Sequence, residues 1–156
     1  MNYTEPYIPT PEDIIPKMLT LASLKPDEVV FDLGSGDGRM LIEAARDFHA
    51  RVEGVEIRRH LVNECRRKVK ALGLSHRVTI SCRSFKKTSL RKADVLALYL
   101  SGYTLNLMAP KFLEELRPGT RIVNFDYQIP GWTPAREIAV TPAGWKKPHP
   151  IYLYVM

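Results

Sequence analysis

Cysteine, glutamine and long apolar runs are all scarce in this 156-residue sequence. The two cysteines, Cys65 and Cys82, form no CxxC pair, so the sequence predicts neither a disulfide framework nor a cysteine zinc site. The four histidines also lack the spacing of metal ligands, and no metal is expected. The single glutamine, beside 12 prolines and many Lys, Arg and Glu residues, is typical of a heat-stable protein.

The absence of long apolar runs also bears on location and partners. No run approaches the roughly 20 residues that cross a bilayer, and the N-terminus has no basic region followed by an apolar one. We therefore expect a cytoplasmic protein with no membrane partner. The length suits one domain over residues 1–156, and we expect a monomer. The net charge of +6 favours acidic partners or nucleic acid.

Short apolar runs alternate with stretches of helical periodicity along most of the chain. A first helix is expected from an N-cap at Thr10 to about Leu24, kinked or delayed by Pro16. The segments that follow are strand EVVFDLG, helix GRMLIEAARDF, strand RVEGVEI, a helix over 58–72, strand RVTISC, strand ADVLALYL, helix LNLMAPKFLEEL and strand GTRIVNFDY. The last two strands, Glu137–Thr141 and Ile151–Val155, have no helix between them. The pattern predicts an α/β fold, a doubly wound, Rossmann-like, seven-stranded, mostly parallel sheet with an antiparallel C-terminal hairpin.

A glycine-rich turn follows the first predicted strand, in the stretch VVFDLGSGDGRML over Val29–Leu41. The three glycines within residues 34–38 permit close backbone approach by a ligand, and the amides that open the next helix face it. Glu56 ends the second strand, where an acid accepts hydrogen bonds from the two ribose hydroxyls of an adenosine. The turn and the acid together indicate a cofactor that contains adenosine.

Two acids, Asp32 and Asp37, bracket this turn and separate two kinds of cofactor. They would repel the pyrophosphate of a dinucleotide, and no third glycine stands at the GxGxxG spacing. S-adenosylmethionine carries no phosphate, and its ammonium and sulfonium are cations that acids favour. We therefore predict S-adenosylmethionine as the cofactor. In the alternative interpretation the two acids only cap the turn and the helix.

At this point the sequence resembles a known family. VVFDLGSGDGR with GVEI is similar to the first two motifs of the class I, seven-stranded S-adenosylmethionine-dependent methyltransferases. PYIPTPEDII, LRPGTRIVNFDYQIPGW and the closing IYLYV resemble the archaeal broad-specificity protein lysine methyltransferases, which are related to the non-SET histone lysine methyltransferases. The resemblance covers nearly the whole chain and implies an archaeal enzyme that methylates lysines.

The resemblance also implies roles for individual residues. The positions implied to bind the cofactor are Tyr7, Thr10, Asp32, Gly34, Ser35, Gly36, Asp37, Glu56, Ser84 and Phe85. An N-terminal segment and helix over residues 1–24 would close over the methionine end, and Glu56 would hold the ribose. Ser84 would meet the adenine amine, in place of the family's usual Asp or Asn. Tyr99, at the end of the fourth strand, would be the catalytic residue, at the mouth where the methyl acceptor enters.

Methyl transfer to a lysine requires alignment of two reactants more than it requires an acid or base dyad. The nucleophile is the difficulty, because with a pKa of about 10.4 only roughly one lysine amine in 2,500 is neutral at neutral pH. An apolar channel and an adjacent sulfonium would both lower that pKa. The aromatic residues that would form such a channel are Tyr99, Tyr103, Phe125 and Tyr127.

The function that we predict is therefore an S-adenosylmethionine-dependent methyltransferase acting on exposed lysine side chains of proteins. An RNA methyltransferase on the same fold is the first alternative, because Arg66, Arg67 and Lys68 offer a basic helix face. The absence of a [DN]PP[YF] motif after the fourth strand disfavours the exocyclic amine of a base as acceptor. The second alternative is a non-catalytic domain that only binds the cofactor.

Overall fold

The computed structural model describes residues 4–156, within which seven strands and four α-helices follow the predicted alternation. The strands are β1 (Val29–Leu33), β2 (Arg51–Glu56), β3 (Val78–Cys82), β4 (Val95–Leu98), β5 (Arg121–Phe125), β6 (Arg136–Val140) and β7 (His149–Val155). The helices are α1 (Ile15–Leu21), α2 (Arg39–Asp47), α3 (Arg59–Ala71) and α4 (Gly102–Glu115). Tyr99 is thus the first residue after β4.

The seven strands form one sheet in the order β3-β2-β1-β4-β5-β7-β6. The first five strands pair in parallel, and β7 pairs antiparallel with both β5 and β6. This arrangement confirms the predicted fold class. The strand order reverses between β1 and β4, and ligands of open α/β sheets bind at the carboxyl ends of the strands beside such a reversal.

Two apolar layers cover the faces of the sheet. One contains the buried sides of α1, α2 and α3, and the other contains the buried side of α4. The third glycine of the turn serves this packing, because a Cβ at Gly38 would lie 2.2 Å from the Cys65 sulfur on α3. Gly38 also has a φ of +84°, which a side chain would strain. The glycine therefore lets the start of α2 approach α3 closely.

The first helix is shorter than the sequence indicated. It begins at Ile15 rather than directly after Thr10, and it ends at Leu21 rather than near Leu24. Pro16 occupies the first helical turn, where its missing N–H costs no hydrogen bond, so the helix is delayed rather than kinked. Of the predicted 1–24 segment, residues 1–3 lie outside the described part of the chain, and residues 4–11 have no regular secondary structure.

The described helices can also be compared with the thickness of a membrane. Within residues 4–156, no helix is long and apolar enough to cross one.

Candidate active site

A cavity of about 290 Å³ lies at the carboxyl edge of the sheet, beside β1, β2 and β4. Its lining includes every residue that the sequence singled out for cofactor or catalysis, namely Tyr7, Thr10, Asp32, Gly34, Ser35, Gly36, Asp37, Glu56, Ser84, Phe85 and Tyr99. These residues come from five separate segments of the chain, which the topology brings together. Their shared location is observed, whereas the role of each stays a prediction.

Three acids line one end of the cavity. Asp32 on β1 is buried, and its pKa is raised to about 8, by burial first and then by the charges of Glu56 and Asp37. A cationic group of a ligand would favour the ionised form of Asp32. Asp37 differs, because burial raises its pKa but hydrogen bonds and the charge of Arg39 outweigh burial and lower it overall. Arg39 thus keeps Asp37 ionised, whereas Asp32 has no such cation among residues 4–156 to offset the effect of its burial.

Glu56 is fixed at the end of β2 by three donated hydrogen bonds. Its Oε2 accepts from the Gly36 N–H at 3.0 Å, and its Oε1 accepts from the Arg58 N–H at 2.9 Å and from Arg58 Nη1 at 3.2 Å. Each carboxylate oxygen can accept more than one hydrogen bond, so the group keeps capacity for further donors. Glu56 therefore joins the glycine turn to β2 and still faces the cavity.

The glycine turn lines the cavity with backbone atoms and with one hydroxyl that lacks a hydrogen-bond partner among the described residues. Gly36 has a φ of +56°, and a Cβ there would lie only 2.6 Å from the ring of Tyr7. The Ser35 Oγ is buried and has no hydrogen-bond partner within residues 4–156. A buried polar group without a partner is costly unless a ligand or water completes it. The turn is therefore suited to a polar ligand that contacts backbone and hydroxyl together.

Residues 4–10, which we call the N-terminal strap, line the same cavity and are held by two arginines. Arg39 donates through Nη1 to the Thr10 carbonyl oxygen at 3.1 Å, and it also pairs with Asp37 at 3.1 Å. Arg58 donates through Nη2 to the Glu5 carbonyl oxygen at 2.7 Å, and it also pairs with Glu56. Each arginine thus joins the strap to an acid of the cavity.

The strap is also anchored to α4. The Glu5 carboxylate accepts from the Ser101 N–H at 2.5 Å and from the Ser101 Oγ at 3.0 Å, and it accepts from the Thr104 hydroxyl as well. These donors belong to the N-terminus of α4, where a carboxylate is favoured by the unpaired amides and the helix dipole. The strap therefore crosses from β2 to α4 over the cavity.

Sequence reasoning missed Arg39, Arg58 and Glu5. The two arginines had a signal, because each follows a cavity acid by two residues, as Asp37-x-Arg39 and Glu56-x-Arg58. Glu5 had none, since its partners lie 96 and 99 residues further along the chain.

The flank predicted to hold adenine is built from the loop after β3. The Ser84 Oγ accepts from the Lys86 N–H at 3.3 Å and caps the short 3₁₀ turn Phe85–Lys87. The hydroxyl hydrogen is still available to an acceptor. The Phe85 ring lies 4.0 Å from the position that a Cβ on Gly34 would occupy, and Leu100 lies 3.8 Å from it. Apolar side chains thus flank the turn beside a single hydroxyl.

The part of the cavity beside the carboxyl end of β4 is aromatic. Tyr99 is half-buried, and its ring centroid lies 5.0 Å from that of Phe125 and 6.4 Å from that of Tyr127. The pKa of Tyr99 is raised to about 12, by burial first and then by Asp126 and Tyr127, so the phenol is neutral at physiological pH. Tyr103 lines the cavity with Tyr99, but Phe125 is fully buried and supports Tyr99 instead of forming a channel wall.

Residues 4–156 contain no group of three or more His, Cys, Asp and Glu side chains arranged to hold a metal ion.

Comparison with known proteins places this geometry in context. Residues 32–136 match the family described as the ANTKMT methyltransferase domain. The chain is 36% identical over 152 residues to a protein-lysine N-methyltransferase of Saccharolobus islandicus, covering 97% of this chain and 93% of that protein. It is 30% identical over 129 residues to the adenine nucleotide translocase lysine N-methyltransferase of Mus musculus, covering 83% of this chain and 56% of that protein.

A solved structure is similar as well. The crystal structure of an RNA methyltransferase from Salinibacter ruber in complex with S-adenosyl-L-homocysteine superposes with a TM-score of 0.87 at 34% identity. The similarity covers 95% of this chain and 93% of that one.

Proposed function

This chain belongs to the ANTKMT methyltransferase domain family, and we propose that it transfers a methyl group from S-adenosylmethionine to lysine side chains of proteins. The observation that carries the proposal is the near full-length similarity to a protein-lysine N-methyltransferase, at 36% identity. The cavity supports it, because buried acids and a neutral aromatic end meet at the edge of the sheet where methyl donor and acceptor would have to meet.

The cavity residues fit S-adenosylmethionine on two grounds. The orphaned Ser35 hydroxyl and the uncompensated Asp32 carboxylate require polar and cationic partners, which the methionine end of the cofactor has. Glu56 would accept from the ribose hydroxyls, and Ser84 would meet the adenine amine. When bound, the cofactor supplies an electrophilic methyl group on a sulfonium.

The residues of the chain then have to align a lysine amine and exclude water. Tyr99 and Tyr103 place neutral, aromatic surface at the acceptor end of the cavity. Such surroundings disfavour the charged ammonium and so raise the fraction of neutral, nucleophilic amine. The strap crosses over the cavity, and Tyr7 lies directly against Gly36 of the glycine turn. Tyr99 is the residue to which we assign contact with the acceptor.

Methylation of RNA is the second candidate, favoured by the similarity to the Salinibacter ruber RNA methyltransferase. The basic face of α3 gives it less support than its sequence suggests. Arg66 donates to the Ile80 carbonyl oxygen at 3.0 Å, and Lys68 pairs with Glu64 at 2.8 Å. Lys68 Nζ also lies 3.5 Å from Asp37. Two of the three basic groups on this face are therefore engaged within the protein.

The experiment that tests the proposal follows the label from methyl-labelled S-adenosylmethionine. The purified protein is incubated with a cell extract, the product is divided between RNase and protease, and labelled material is hydrolysed to amino acids. We expect the label to survive RNase and to be recovered as methyl-lysine. Loss of label with RNase would move the function to RNA, and cofactor binding without label would leave a non-catalytic domain. Glu56→Ala serves as the cofactor-binding control.

We infer a single methyltransferase domain, with the strap and α1 closing over the cofactor, acting as a cytoplasmic monomer in a heat-adapted archaeon. The similarity to a Saccharolobus protein and the low glutamine content support the archaeal and heat-adapted parts. Light scattering during gel filtration and a thermal melt test the oligomeric state and the heat stability.

A further inference from the structure

A second group of aromatic side chains continues from Tyr99 away from the cavity. Phe125 connects them, because its ring centroid lies 5.0 Å from that of Tyr99, 6.0 Å from that of Trp145 and 6.2 Å from that of His149. Trp145 and His149 meet edge to face at 4.6 Å. Tyr127 stacks near Tyr99 at 6.4 Å. Phe125 is itself fully buried and the described lining of the cavity includes only Tyr99 of these residues, so the group lies beside the cavity and is joined to it through Tyr99.

Two members of this group are exposed to solvent. Tyr127 is 43% exposed and Trp145 is 39% exposed, although both are large aromatic side chains. Trp145 lies in the connection between β6 and β7, and that connection is attached to the turn before α1 by a hydrogen bond from the Ala143 N–H to Asp13 Oδ2 at 3.0 Å. Trp145 thus stands on a connection that is fastened to the turn before α1.

An acid stands among these rings in an unusual backbone conformation. Asp126, the residue after β5, has a φ of +74°, in the left-handed region that few residues other than glycine adopt. Its N–H donates to the Pro150 carbonyl oxygen at 2.8 Å, and its carboxylate lies 2.7 Å from His149 Nδ1. Both contacts hold the carboxylate beside the aromatic group, and its charge reaches Tyr99, whose pKa it raises.

One side chain, that of Asn124, forms hydrogen bonds to both of the loops that carry Tyr99 and Tyr127. Asn124, which is fully buried, accepts from the Leu100 N–H at 3.2 Å and donates to the Tyr127 carbonyl oxygen at 2.7 Å. The side-chain amide therefore fixes the end of β4 relative to the end of β5. Because the two loops are already fixed, less conformational entropy is lost when they bind a flexible side chain.

We propose that Tyr127, Trp145 and Asp126 form the subsite that receives a lysine-bearing, cationic segment of a protein substrate next to Tyr99. In contact with solvent, the faces of the exposed rings attract the ammonium of an incoming lysine, and the Asp126 carboxylate strengthens that attraction. The amine loses its charge only further in, beside the neutral rings of Tyr99 and Tyr103. The same carboxylate repels phosphate, whereas the exposed Lys146 and Lys147 that follow Trp145 attract it, so RNA is tested as the alternative occupant. This inference rests on the proposed function and adds the residues that would recognise the acceptor.

Fluorescence of Trp145 tests occupancy without any methyl transfer. Trp132, the other tryptophan, packs edge to face on Tyr154 in the other apolar layer, so Trp132→Phe leaves Trp145 as the only indole. In the presence of S-adenosylhomocysteine, we expect a saturable fluorescence change on addition of the peptide acetyl-Gly-Gly-Lys-Gly-Gly-amide. The same peptide with norleucine, which lacks the charge, should give a smaller change. Equal responses, no response to lysine, or a stronger response to a single-stranded oligoribonucleotide would overturn the assignment.

Steady-state kinetics with the lysine peptide tests the contribution of each group. Asp126→Asn removes the charge while keeping a residue that tolerates the left-handed backbone, and Trp145→Leu removes the ring. We expect each to raise the KM for the peptide roughly two- to fivefold and to leave the affinity for S-adenosylhomocysteine unchanged. Asp47→Asn, an exposed acid on α2, and Leu113→Ala, an exposed residue late in α4, are the matched controls.

The outcomes separate this subsite from the proposed function. A wild-type protein that methylates the peptide with the same KM as both variants would overturn the subsite alone. A wild-type protein that methylates RNA and no lysine would overturn the proposed function, and the fluorescence comparison would then still decide whether Trp145 responds to a lysine peptide.

Discussion

The two ends of the cavity are built in different ways. At the end after β1 and β2, the side chains are held in place by ion pairs and hydrogen bonds. Glu56, for example, accepts three hydrogen bonds, and Arg58 connects it to the strap. At the end after β4 and β5, Tyr99 is held by ring packing against Phe125 and Tyr127. Directional bonds specify one ligand, whereas packed rings accept different neighbours. The difference suits separate binding of a cofactor at the first end and of a lysine side chain at the second.

The largest expected effect concerns the uncompensated acid at the polar end. The pKa of Asp32 is raised to about 8 in the folded protein from an ordinary value of 3.8, so only well below pH 3.8 are both states protonated and Asp32 costs nothing. Between these values the unfolded state releases a proton that the folded state retains, and stability falls as pH rises. We expect the free energy of unfolding of the wild type, relative to Asp32→Asn, to fall by up to about 4 kcal/mol between about pH 5 and about pH 8.

Urea unfolding of the two proteins at both pH values, without cofactor, measures this difference. The other titratable groups are the same in both proteins, so their contributions cancel when the two free energies of unfolding are subtracted. A difference in stability that stays constant with pH would show that Asp32 is ionised in the cofactor-free protein. Added S-adenosylhomocysteine, whose ammonium would favour the ionised form, should flatten the dependence.

Removal of Glu56 should break the polar end of the cavity most directly. Glu56→Ala deletes the acceptor of the Gly36 N–H and of Arg58, together with the predicted partner of the ribose hydroxyls. Because hydrogen bonds to a charged group contribute about 1.5–3 kcal/mol each, we expect the affinity for S-adenosylhomocysteine to fall about a hundredfold or more. Isothermal titration measures it, with the exposed Glu114→Ala as control. Unchanged binding by Glu56→Ala would contradict the assigned role.

At the aromatic end, two substitutions of Tyr99 separate the contribution of its ring from that of its hydroxyl. Tyr99→Leu removes the ring that contacts Phe125 and Tyr127, and we expect kcat for lysine methylation to fall about tenfold, since alignment is lost. The affinity for S-adenosylhomocysteine should change less than about twofold. Tyr99→Phe keeps the ring and should retain most of the activity. If Phe were as damaging as Leu, the hydroxyl rather than the ring would be the important group.

The strap connects the two ends and should give the smallest effect. Arg58→Gln frees the Glu5 carbonyl oxygen and removes one charge beside Glu56, and we expect cofactor affinity to fall roughly three- to tenfold. Proteolysis within residues 4–10 should become faster, because one of the fastenings of the strap is lost. Arg59→Gln removes the same charge from the adjacent exposed position and is the control. Equal effects of the two variants would indicate net charge rather than the strap.

The polar end could be predicted from sequence largely because it is local. The glycine turn and Asp32 lie in one run of residues, and Glu56 follows at the end of the next strand, so spacing alone indicated a shared edge. The Arg39 and Arg58 contacts to the strap were not predicted, since they depend on a segment with no regular secondary structure. The delayed start of α1 at Ile15 is one of the two effects predicted for Pro16, whereas the predicted N-cap at Thr10 was wrong.

The aromatic end could be predicted only in part because it is assembled over long distances. Tyr99 follows β4 and Phe125 ends the neighbouring β5, and both were singled out. Trp145 joins them only through the antiparallel return of β7 beside β5, and no local pattern marked it. The pairing of Asp126 with His149 likewise depends on that register and on a left-handed backbone at Asp126.

The most direct test of the division between the two ends compares Glu56→Gln with Asp126→Asn. Both replace a carboxylate by an amide of nearly the same size, one at each end. Binding of S-adenosylhomocysteine and the KM for a lysine peptide are measured for both variants. We predict that Glu56→Gln weakens cofactor binding and that Asp126→Asn raises the peptide KM with cofactor binding intact. If both substitutions moved the same constant, the two ends would not be separate sites for cofactor and acceptor.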